Sequence, residues 1–325
     1  MNRRLFIGSL TGSLLGAPFC TRAQQSEKVY RIGILESIPA AQNAANLNAL
    51  RNGLRQLGYI EGKNLIIEYR SADGQAERFP DLASELVRLR VDLLVTRGTP
   101  ATVAAKSAAG TIPVVMATMG DPSTLVASYA HPGSNITGVT TFTTELTAKR
   151  IELLKELVPG LSRVALVHNM GNPAAQPEWD ETMRAARSLG LEADLLDVRS
   201  EADFPGAFDL AARRRIGAVV IGADGLTQLH QKAILAGVAR NRLPAIYPAR
   251  EFVDAGGLIA YGVSYPALYF AFASTVDKIF KGAKPGDLPV ERPTRFQLVI
   301  NLRTAKALGL TIPQSLLLRA DEVIR

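Results

Sequence analysis

The fold class is indicated most clearly by one stretch of the sequence, Asp92-Leu93-Leu94-Val95-Thr96-Arg97-Gly98-Thr99-Pro100-Ala101. Its apolar start is typical of a buried β-strand. The Gly98-Thr99-Pro100 turn then ends the strand and begins a helix over residues 101–109. Thr99 is predicted as the N-cap of this helix and Pro100 as its first residue. A strand that passes directly into a helix is the repeating element of a parallel α/β sheet.

The same alternation of strand and helix recurs on both sides of this stretch. Residues 30–35 form a predicted strand, and a helix follows whose apolar stripe ends at Gly58, a residue suited to a helix C-cap. A second series begins after Thr144. Its predicted strands are 163–167, 192–196, 218–221 and 245–247. The sequence therefore predicts two similar α/β halves that join near residues 138–144.

The tail of the chain adds elements after both halves are complete. They are a strand at 258–263, a long helix at 266–281, a strand at 296–301 and a last helix after Thr304. Extra elements in this position indicate that the chain crosses back between two lobes, which gives three connections and a hinge. We expect lobe 1 to contain residues 24–140 and 262–290. We expect lobe 2 to contain residues 141–261 and 291–325.

The first 23 residues have the composition of an export signal. Met1-Asn2-Arg3-Arg4 is a cationic start, residues 5–19 are mostly apolar or small, and the two cleavage-determining positions are Thr21 and Ala23. The apolar segment is shorter than the roughly 18 to 20 residues that a membrane anchor needs. We therefore expect a periplasmic protein that is exported by either a Sec or a twin-arginine signal.

Composition limits the classes of partner and site. The chain has 325 residues, with 37 Lys and Arg against 30 Asp and Glu, a formal charge of +7. Removal of the signal would leave 34 basic and 30 acidic residues, a charge of +4, so we expect no nucleic acid partner. Removal would also take away Cys20, the one cysteine of the chain, which excludes a disulfide framework and a zinc-finger module.

Catalytic and cofactor motifs are missing from the sequence. The first strand is followed by Leu35-Glu36-Ser37-Ile38-Pro39, which lacks the glycines of a dinucleotide-binding turn. A phosphate-binding lysine motif and a G-x-S-x-G nucleophile turn are also missing. The histidines, His131, His168 and His230, lack metal-ligand spacing. We therefore expect no enzyme activity, no cofactor and no metal site, and an exported α/β enzyme is disfavoured.

Polar residues that follow the predicted strands are the candidate binding residues, because open α/β sheets bind ligands at the carboxyl ends of their strands. The candidates are Ser37, Arg97, Thr99, Asp121, Asn169, Asp224, Tyr247 and Tyr265.

Each of these candidates has a functional and a plain structural interpretation. Thr99 and Asp121 are predicted to begin helices whose free N–H groups suit an anion, or to be ordinary N-caps. Arg97 either pairs bidentately with a carboxylate or lies at the surface. Tyr247 and Tyr265 either line a cleft or are half-buried packing residues.

Eight blocks of the sequence together carry a family resemblance. They are Gly98 to Ala101, Gly120 to Pro122, Pro132 to Gly138, Lys149 to Glu156, Leu243 to Tyr247, Phe252 to Gly257, Phe296 to Asn301 and Ala305 to Pro313. They resemble the substrate-binding proteins of ABC transporters, in the family that includes tryptophan and other aromatic amino-acid receptors. The resemblance implies a type I periplasmic binding fold: two Rossmann-like lobes with parallel sheets, joined by a three-segment hinge.

The resemblance also implies a function. A monomeric periplasmic receptor would deliver a small carboxylate-bearing ligand, an amino acid or a related acid, to an ABC permease in the inner membrane. By similarity Thr99 and Ser37 would hold the carboxylate and Asp224 the ammonium, while an added cation at Arg97 favours a more acidic ligand or a second carboxylate. The alternative is a ligand-sensing module of the same fold that serves a membrane kinase or chemoreceptor.

Overall fold

The predicted alternation of strands and helices is confirmed, and it builds two α/β lobes with one sheet each. The structure is a computed structural model that describes residues 28–141 and 143–325. The export signal predicted for residues 1–23 lies outside the described residues. In the described part, no helix has the length and apolar character needed to cross a membrane.

Lobe 1 contains a parallel sheet of five strands with helices on both faces. The strands are β1 (Tyr30–Glu36), β2 (Leu65–Ser71), β3 (Leu93–Arg97), β4 (Val114–Met119) and β5 (Ile136–Thr140), and the helices between them are α1 (Ala44–Gln56), α2 (Phe79–Arg88) and α3 (Thr99–Ala109). The sheet order is β2-β1-β3-β4-β5. The central strand β3 is buried along its length because α1 covers one face of the sheet, and α2 and α3 cover the other.

Lobe 2 continues the chain with the same alternation. Its helices are α4 (Thr143–Leu157), α5 (Ala175–Ser188), α6 (Asp203–Arg213), α7 (Gly225–Leu229), α8 (Gln231–Arg240) and α9 (Arg250–Asp254), and its first five strands are β6 (Arg163–His168), β7 (Glu192–Asp197), β8 (Ala218–Ile221), β9 (Ala245–Tyr247) and β10 (Ile259–Gly262). Helices α4 and α5 cover one face of this sheet, and α6 and α8 cover the other.

The tail of the chain contributes to both lobes. Its elements are α10 (Tyr265–Ala271), α11 (Ala273–Phe280), β11 (Gln297–Asn301), α12 (Leu302–Ala307), α13 (Gln314–Arg319) and β12 (Glu322–Ile324). The long helix predicted for residues 266–281 is therefore two helices, which separate at Phe272. The lobe 2 sheet has the order β12-β11-β10-β9-β8-β6-β7.

One strand pair departs from the expected parallel arrangement: β11 runs antiparallel to β10. The reason lies in the path of the chain, because β10 ends at the edge that faces lobe 1 and the chain returns to the same edge after α10 and α11. A strand that enters where its neighbour ends must run in the opposite direction. The other neighbouring strands of both sheets are parallel.

The segment after β10 packs against lobe 1. Tyr269, Phe272 and Val276 join the core formed with α1. The two helices lie in close contact because α1 has a glycine at the crossing: a Cβ added at Gly53 would lie 2.7 Å from the carbonyl oxygen of Phe270. The returning chain then pairs with β5, where Thr140 N donates to Glu291 O at 3.0 Å. Two of the crossing segments are therefore hydrogen-bonded to each other.

A cluster of buried polar side chains joins three elements of lobe 2. The Glu178 carboxylate of α5 lies 3.2 Å from His168 Nε2, accepts a hydrogen bond of 2.9 Å from Thr147 Oγ1 and lies 3.7 Å from the Arg150 guanidinium. Burial raises the pKa of Glu178, but contact with His168 outweighs it and the pKa falls below its usual range. Burial lowers the pKa of His168, but Glu178 outweighs it and the pKa is raised. The structure therefore favours an ionised pair.

Glu178→Gln should destabilise the protein in a pH-dependent way. The His168 contribution is fully present below about pH 6.5 and is lost as the pH rises through its raised pKa, whereas the Glu178 contribution is present above about pH 4.5. We expect a loss of about 3 kcal/mol in unfolding free energy between these values, because one partner of a buried pair is removed. The loss should shrink as the pH rises through the raised pKa of His168, to the part that arises from the buried Arg150, as measured by urea unfolding at a series of pH values.

The matched control for this experiment is Asp180→Asn, on an exposed position of the same helix. We expect its unfolding free energy to follow that of the wild type at every pH. A cost of Glu178→Gln that stays constant while His168 titrates would contradict the ionised pair.

Candidate functional site

A cleft between the lobes lies at the carboxyl ends of β1, β3 and β4 in lobe 1 and of β6 and β8 in lobe 2. Its cavity volume is about 70 Å³. Six of the eight predicted residues line it: Ser37, Arg97, Thr99, Asn169, Asp224 and Tyr265. The structure brings these side chains together because parallel strands of each sheet end at one common edge.

The N-terminus of α3 opens into the cleft on the lobe 1 side. Thr99 is the first helical residue, and the N-cap is Gly98, whose φ of 82° belongs to the left-handed region that favours glycine. The predicted N-cap at Thr99 is therefore wrong by one residue. The N-cap Gly98 has no side chain that could cap the first turn of this 11-residue helix. The positive end of the helix faces the cleft.

Asp224 faces this helix terminus from lobe 2. Only 8% of the residue is exposed, and its carboxylate accepts hydrogen bonds from Leu226 N at 2.7 Å and from Asn172 Nδ2 at 2.6 Å. It thereby caps α7 as part of a capping box. Each carboxylate oxygen has a further lone pair, so Asp224 can accept another donor from the cleft.

Arg97 is buried and has a counter-ion. Its guanidinium is buried 3.8 Å from the carboxylate of Glu36 and lies over the ring of Tyr265, 4.2 Å from the ring centroid. The Arg97 charge is therefore balanced inside lobe 1. The expectation of a more acidic ligand, which rested on an added cation, loses its support.

The Glu36 carboxylate accepts hydrogen bonds from three donors. Its carboxylate receives hydrogen bonds from Asn43 Nδ2 at 3.0 Å, from Ser37 N at 3.2 Å and from the hydroxyl of Tyr269. Burial raises the pKa of Glu36, and the Arg97 charge opposes that rise. Because all three neighbours donate, the geometry fits the ionised carboxylate.

The two lobes touch across the cleft at two glycines. A Cβ added at Gly225 of lobe 2 would overlap the side chain of Ser37 in lobe 1. A Cβ added at Gly74 of lobe 1 would lie 2.7 Å from Leu229 Cδ2 of lobe 2. At both positions the backbone of one lobe lies directly against a side chain of the other.

Asp121 and Tyr247 lie outside the cleft lining. No helix begins at Asp121: its Oδ1 accepts from Ser123 N at 2.8 Å and from the Tyr129 hydroxyl at 3.0 Å, which forms a local turn. Tyr247 is 1% exposed and stacks on Phe252 in the lobe 2 core, with ring centroids 4.8 Å apart. Asp121 follows β4 and Tyr247 ends β9, but the side chain of Asp121 belongs to a turn and that of Tyr247 to the core.

Several cleft residues escaped sequence analysis. Thr118 was missed because it lies within β4, which extends to Met119, and not after the end of a strand. Asn172 lies three residues past Asn169, and its role in holding Asp224 depends on a contact between distant segments. Glu36, the last residue of β1, is in contrast one of the polar strand-end residues that the sequence indicates.

Comparison with known proteins supports the assignment of the fold. A sequence model of the ABC transporter substrate binding protein family matches residues 31–324. The chain belongs to this family. The predicted family is thus confirmed.

Similar sequences and solved structures cover nearly the whole chain. A tyrosine-binding protein of Clostridioides difficile (strain R20291) is 24% identical over 287 residues, which is 88% of this chain and 82% of that protein. A conserved domain protein from Vibrio cholerae is 27% identical with a TM-score of 0.85, over 91% of this chain and 100% of that chain. An ABC domain from Streptococcus pneumonia in complex with L-Trp is 26% identical with a TM-score of 0.82, over 90% and 100%. The predicted type I periplasmic binding fold is confirmed.

The described residues contain no group of three or more His, Cys, Asp or Glu side chains placed to hold a metal ion.

Gly225→Ala should weaken ligand binding without destabilising either lobe. Its backbone is not in the left-handed region, so alanine adds no strain, but the new methyl group would overlap Ser37 in the closed arrangement. We expect at least about 10-fold weaker binding, because incomplete closure loses contacts from one lobe. Calorimetric titration measures affinity, and small-angle scattering measures how far the lobes close.

Gly206→Ala is the matched control, because it lies in α6 and a Cβ there meets no atom within 4 Å. It should bind as the wild type does. Equal affinity of both variants would show that the Ser37 contact does not limit closure.

Proposed function

We propose that the protein is the extracytoplasmic solute-binding component of an ABC importer and that it binds an α-amino acid between its lobes. One observation carries this proposal: the cleft has an uncapped helix N-terminus on one side and the buried carboxylate of Asp224 on the other. A positive and a negative group that face each other across a small space complement a zwitterion.

The ligand carboxylate is assigned to lobe 1. The first turn of α3 offers free N–H groups and the positive end of the helix dipole. The Thr99 side chain lies at this turn, and Ser37 follows the neighbouring strand β1. Arg97 orders this wall through Tyr265 and Glu36, and it contributes little net charge because Glu36 balances it.

The ligand ammonium is assigned to Asp224 of lobe 2. The Asn172 side chain and the first turn of α7 hold the carboxylate in place, so it needs no reorganisation to accept an ammonium. Contacts to both lobes favour the closed state, and the permease would recognise that state.

Related proteins support this substrate class and this role. One relative is named for tyrosine binding, and one solved relative holds L-Trp. We propose that the protein acts as a periplasmic monomer without covalent chemistry and that an inner-membrane permease is its partner. We also propose that lobe 1 contains residues 24–140 and 262–290 and lobe 2 the remainder, consistent with the packing of α10 and α11 on α1.

Removal of the Asp224 charge should weaken amino-acid binding. We expect Asp224→Asn to lower affinity for L-tyrosine or L-tryptophan about 10- to 100-fold, because a hydrogen bond to a charged group contributes about 1.5 to 3 kcal/mol. Thr99→Ala, which removes one neutral contact, should lower it about 5-fold. Calorimetric titration of the mature protein measures both values.

Asp121→Asn is the matched control, because that carboxylate belongs to a turn outside the cleft lining. It should bind normally. At 100-fold excess over its Kd a ligand adds about 2.7 kcal/mol of stability, which a thermal-shift screen detects. The proposal is wrong if no amino acid raises the melting temperature, and the ammonium site is elsewhere if Asp224→Asn behaves like the control.

A further inference from the structure

A separate pocket lies in lobe 2, at the edge of the sheet that faces away from the cleft. It is bordered by the C-terminal half of α8, by the turn between α9 and β10, and by α12. The cleft lies at the opposite edge, where the strands of this sheet end. In the described part of the chain, the residues that line this pocket are all different from those that line the cleft. A ligand bound here would therefore be held by lobe 2 alone.

The walls of this pocket are mostly apolar. Three of the lining residues, Val238, Leu243 and Leu258, are buried. Leucine and alanine residues of α8 and of the end of α12 complete the walls: Leu235, Ala239, Ala307 and Leu308. The pocket has a volume of about 160 Å³. Because an apolar cavity of about 150 Å³ holds a benzene ring, this pocket has room for one ring.

Tyr247 contributes a hydroxyl group to the pocket. The residue is 1% exposed, and its ring lies against the backbone of Gly257, where an added Cβ would lie 2.6 Å from Tyr247 Cε2. The hydroxyl has no hydrogen-bond partner among the described residues, and burial raises the pKa of Tyr247. Its oxygen is not fully enclosed by protein atoms, so it opens to the pocket that Tyr247 borders. A ligand with a hydrogen-bonding group could therefore pair with a hydroxyl that otherwise has no partner.

Arg242 contributes a positive charge to the pocket. It follows α8, is exposed, and lines the pocket. Its Nη2 donates to the carbonyl oxygen of Ala307 at the end of α12, at 3.2 Å, which holds the guanidinium next to the pocket. Among the described residues no carboxylate forms an ion pair with it. A guanidinium has five N–H donors. Arg242 can therefore hold the end of α12 and still bind a ligand carboxylate.

The charges around the pocket also favour an anion. Helix α12 carries the exposed residues Arg303 and Lys306, and it contains no acidic residue. The acidic residues of neighbouring segments, Asp209 in α6 and Asp254 at the end of α9, each form an ion pair with an arginine. Repulsion of an anionic ligand by these carboxylates is thereby reduced.

We propose that this pocket is a second binding site, and that it takes a small carboxylic acid with an apolar ring and a hydrogen-bonding group at the opposite end. The carboxylate pairs with the exposed Arg242, the ring fills the apolar space, and the far end bonds to the buried Tyr247 hydroxyl. A hydroxylated aromatic acid such as para-hydroxybenzoate has all three features. This inference goes beyond the proposed function and does not depend on it.

The first experiment fills the pocket from the exposed face of α8. Ala239 lines the pocket, and Ala236 is exposed on the same helix outside the lining. We expect Ala239→Trp to lower affinity for para-hydroxybenzoate at least about 10-fold, because the indole occupies the space of the ring, and Ala236→Trp to leave it unchanged. NMR titration measures the affinities, and circular dichroism with thermal melting checks that each variant folds.

A second experiment tests the recognition of the carboxylate. We expect Arg242→Gln to lower affinity for para-hydroxybenzoate about 10- to 100-fold, the range for loss of a hydrogen bond to a charged group. Arg213→Gln is the matched control, because Arg213 is exposed on α6 and does not line the pocket. The wild type should bind phenol, which lacks the carboxylate, about as weakly as Arg242→Gln binds the acid.

A third experiment tests the hydroxyl of Tyr247. The wild type should bind para-hydroxybenzoate about 5-fold more tightly than benzoate, the usual gain from one neutral hydrogen bond. Tyr247→Phe removes the hydroxyl and keeps the ring that stacks on Phe252. It should therefore abolish this preference and retain binding of benzoate.

The results that overturn the inference are distinct from those that overturn the proposed function. Absence of binding by para-hydroxybenzoate, or equal affinities of Ala239→Trp and Ala236→Trp, overturns the second site. A loss of binding in Asp224→Asn would place the acid in the cleft and also overturn it. Equal affinity for phenol and the acid, or an unchanged preference over benzoate in Tyr247→Phe, shows that the ligand class is wrong. Failure of amino acids to bind affects the proposed function alone.

Discussion

The carboxylate of Glu36 is buried at the end of β1, and groups from four parts of the chain converge on it. Asn43 precedes α1, Arg97 ends β3, Tyr269 belongs to α10, and Ser37 contributes its backbone N–H. Removal of a carboxylate from water costs several kcal/mol, which only good geometry and several donors offset. These segments are thus arranged around the Glu36 carboxylate, whose negative charge needs partners when it is buried.

This constraint reaches both the hinge and the cleft. Tyr265 begins α10 just after the chain leaves β10, and its ring packs in the lobe 2 core while Arg97 of lobe 1 lies over it. Four residues later, Tyr269 is bonded to Glu36. Tyr265 also lines the cleft. The segment that crosses from lobe 2 to lobe 1 therefore contributes to the wall of the cleft.

The fold could be predicted because its signal is local and repeated. In the sequence, each buried parallel strand is an apolar run that ends in a turn, as in Leu93–Arg97. Each helix has a stripe of apolar residues that packs on the sheet. The antiparallel β11 has the same local pattern as its neighbours. Its direction depends on the return of the chain from lobe 1, which no local pattern records.

The sequence predicts those site residues that lie at the carboxyl ends of strands, because the strands themselves can be predicted. That rule found Thr99 and Asp224, but it also selected Tyr247, since a residue at a strand end can turn into the core as readily as into the cleft. The Asp121-Pro122 pair has the composition of a helix start, yet a turn satisfies the same carboxylate. The pairing of Arg97 with Glu36 joins residues 61 positions apart in different strands, and sequence patterns do not encode such contacts.

The opposed polarity of the two walls has a consequence for selectivity on the proposed function. A ligand with a carboxylate alone would be held by α3 but would leave Asp224 without a partner, and a simple amine would do the reverse. Either would bind one lobe without favouring closure, because a ligand shifts an equilibrium only through its differential affinity for the two states. A zwitterion bridges both walls and stabilises the closed form. Selection for the amino-acid head group would then arise from closure itself.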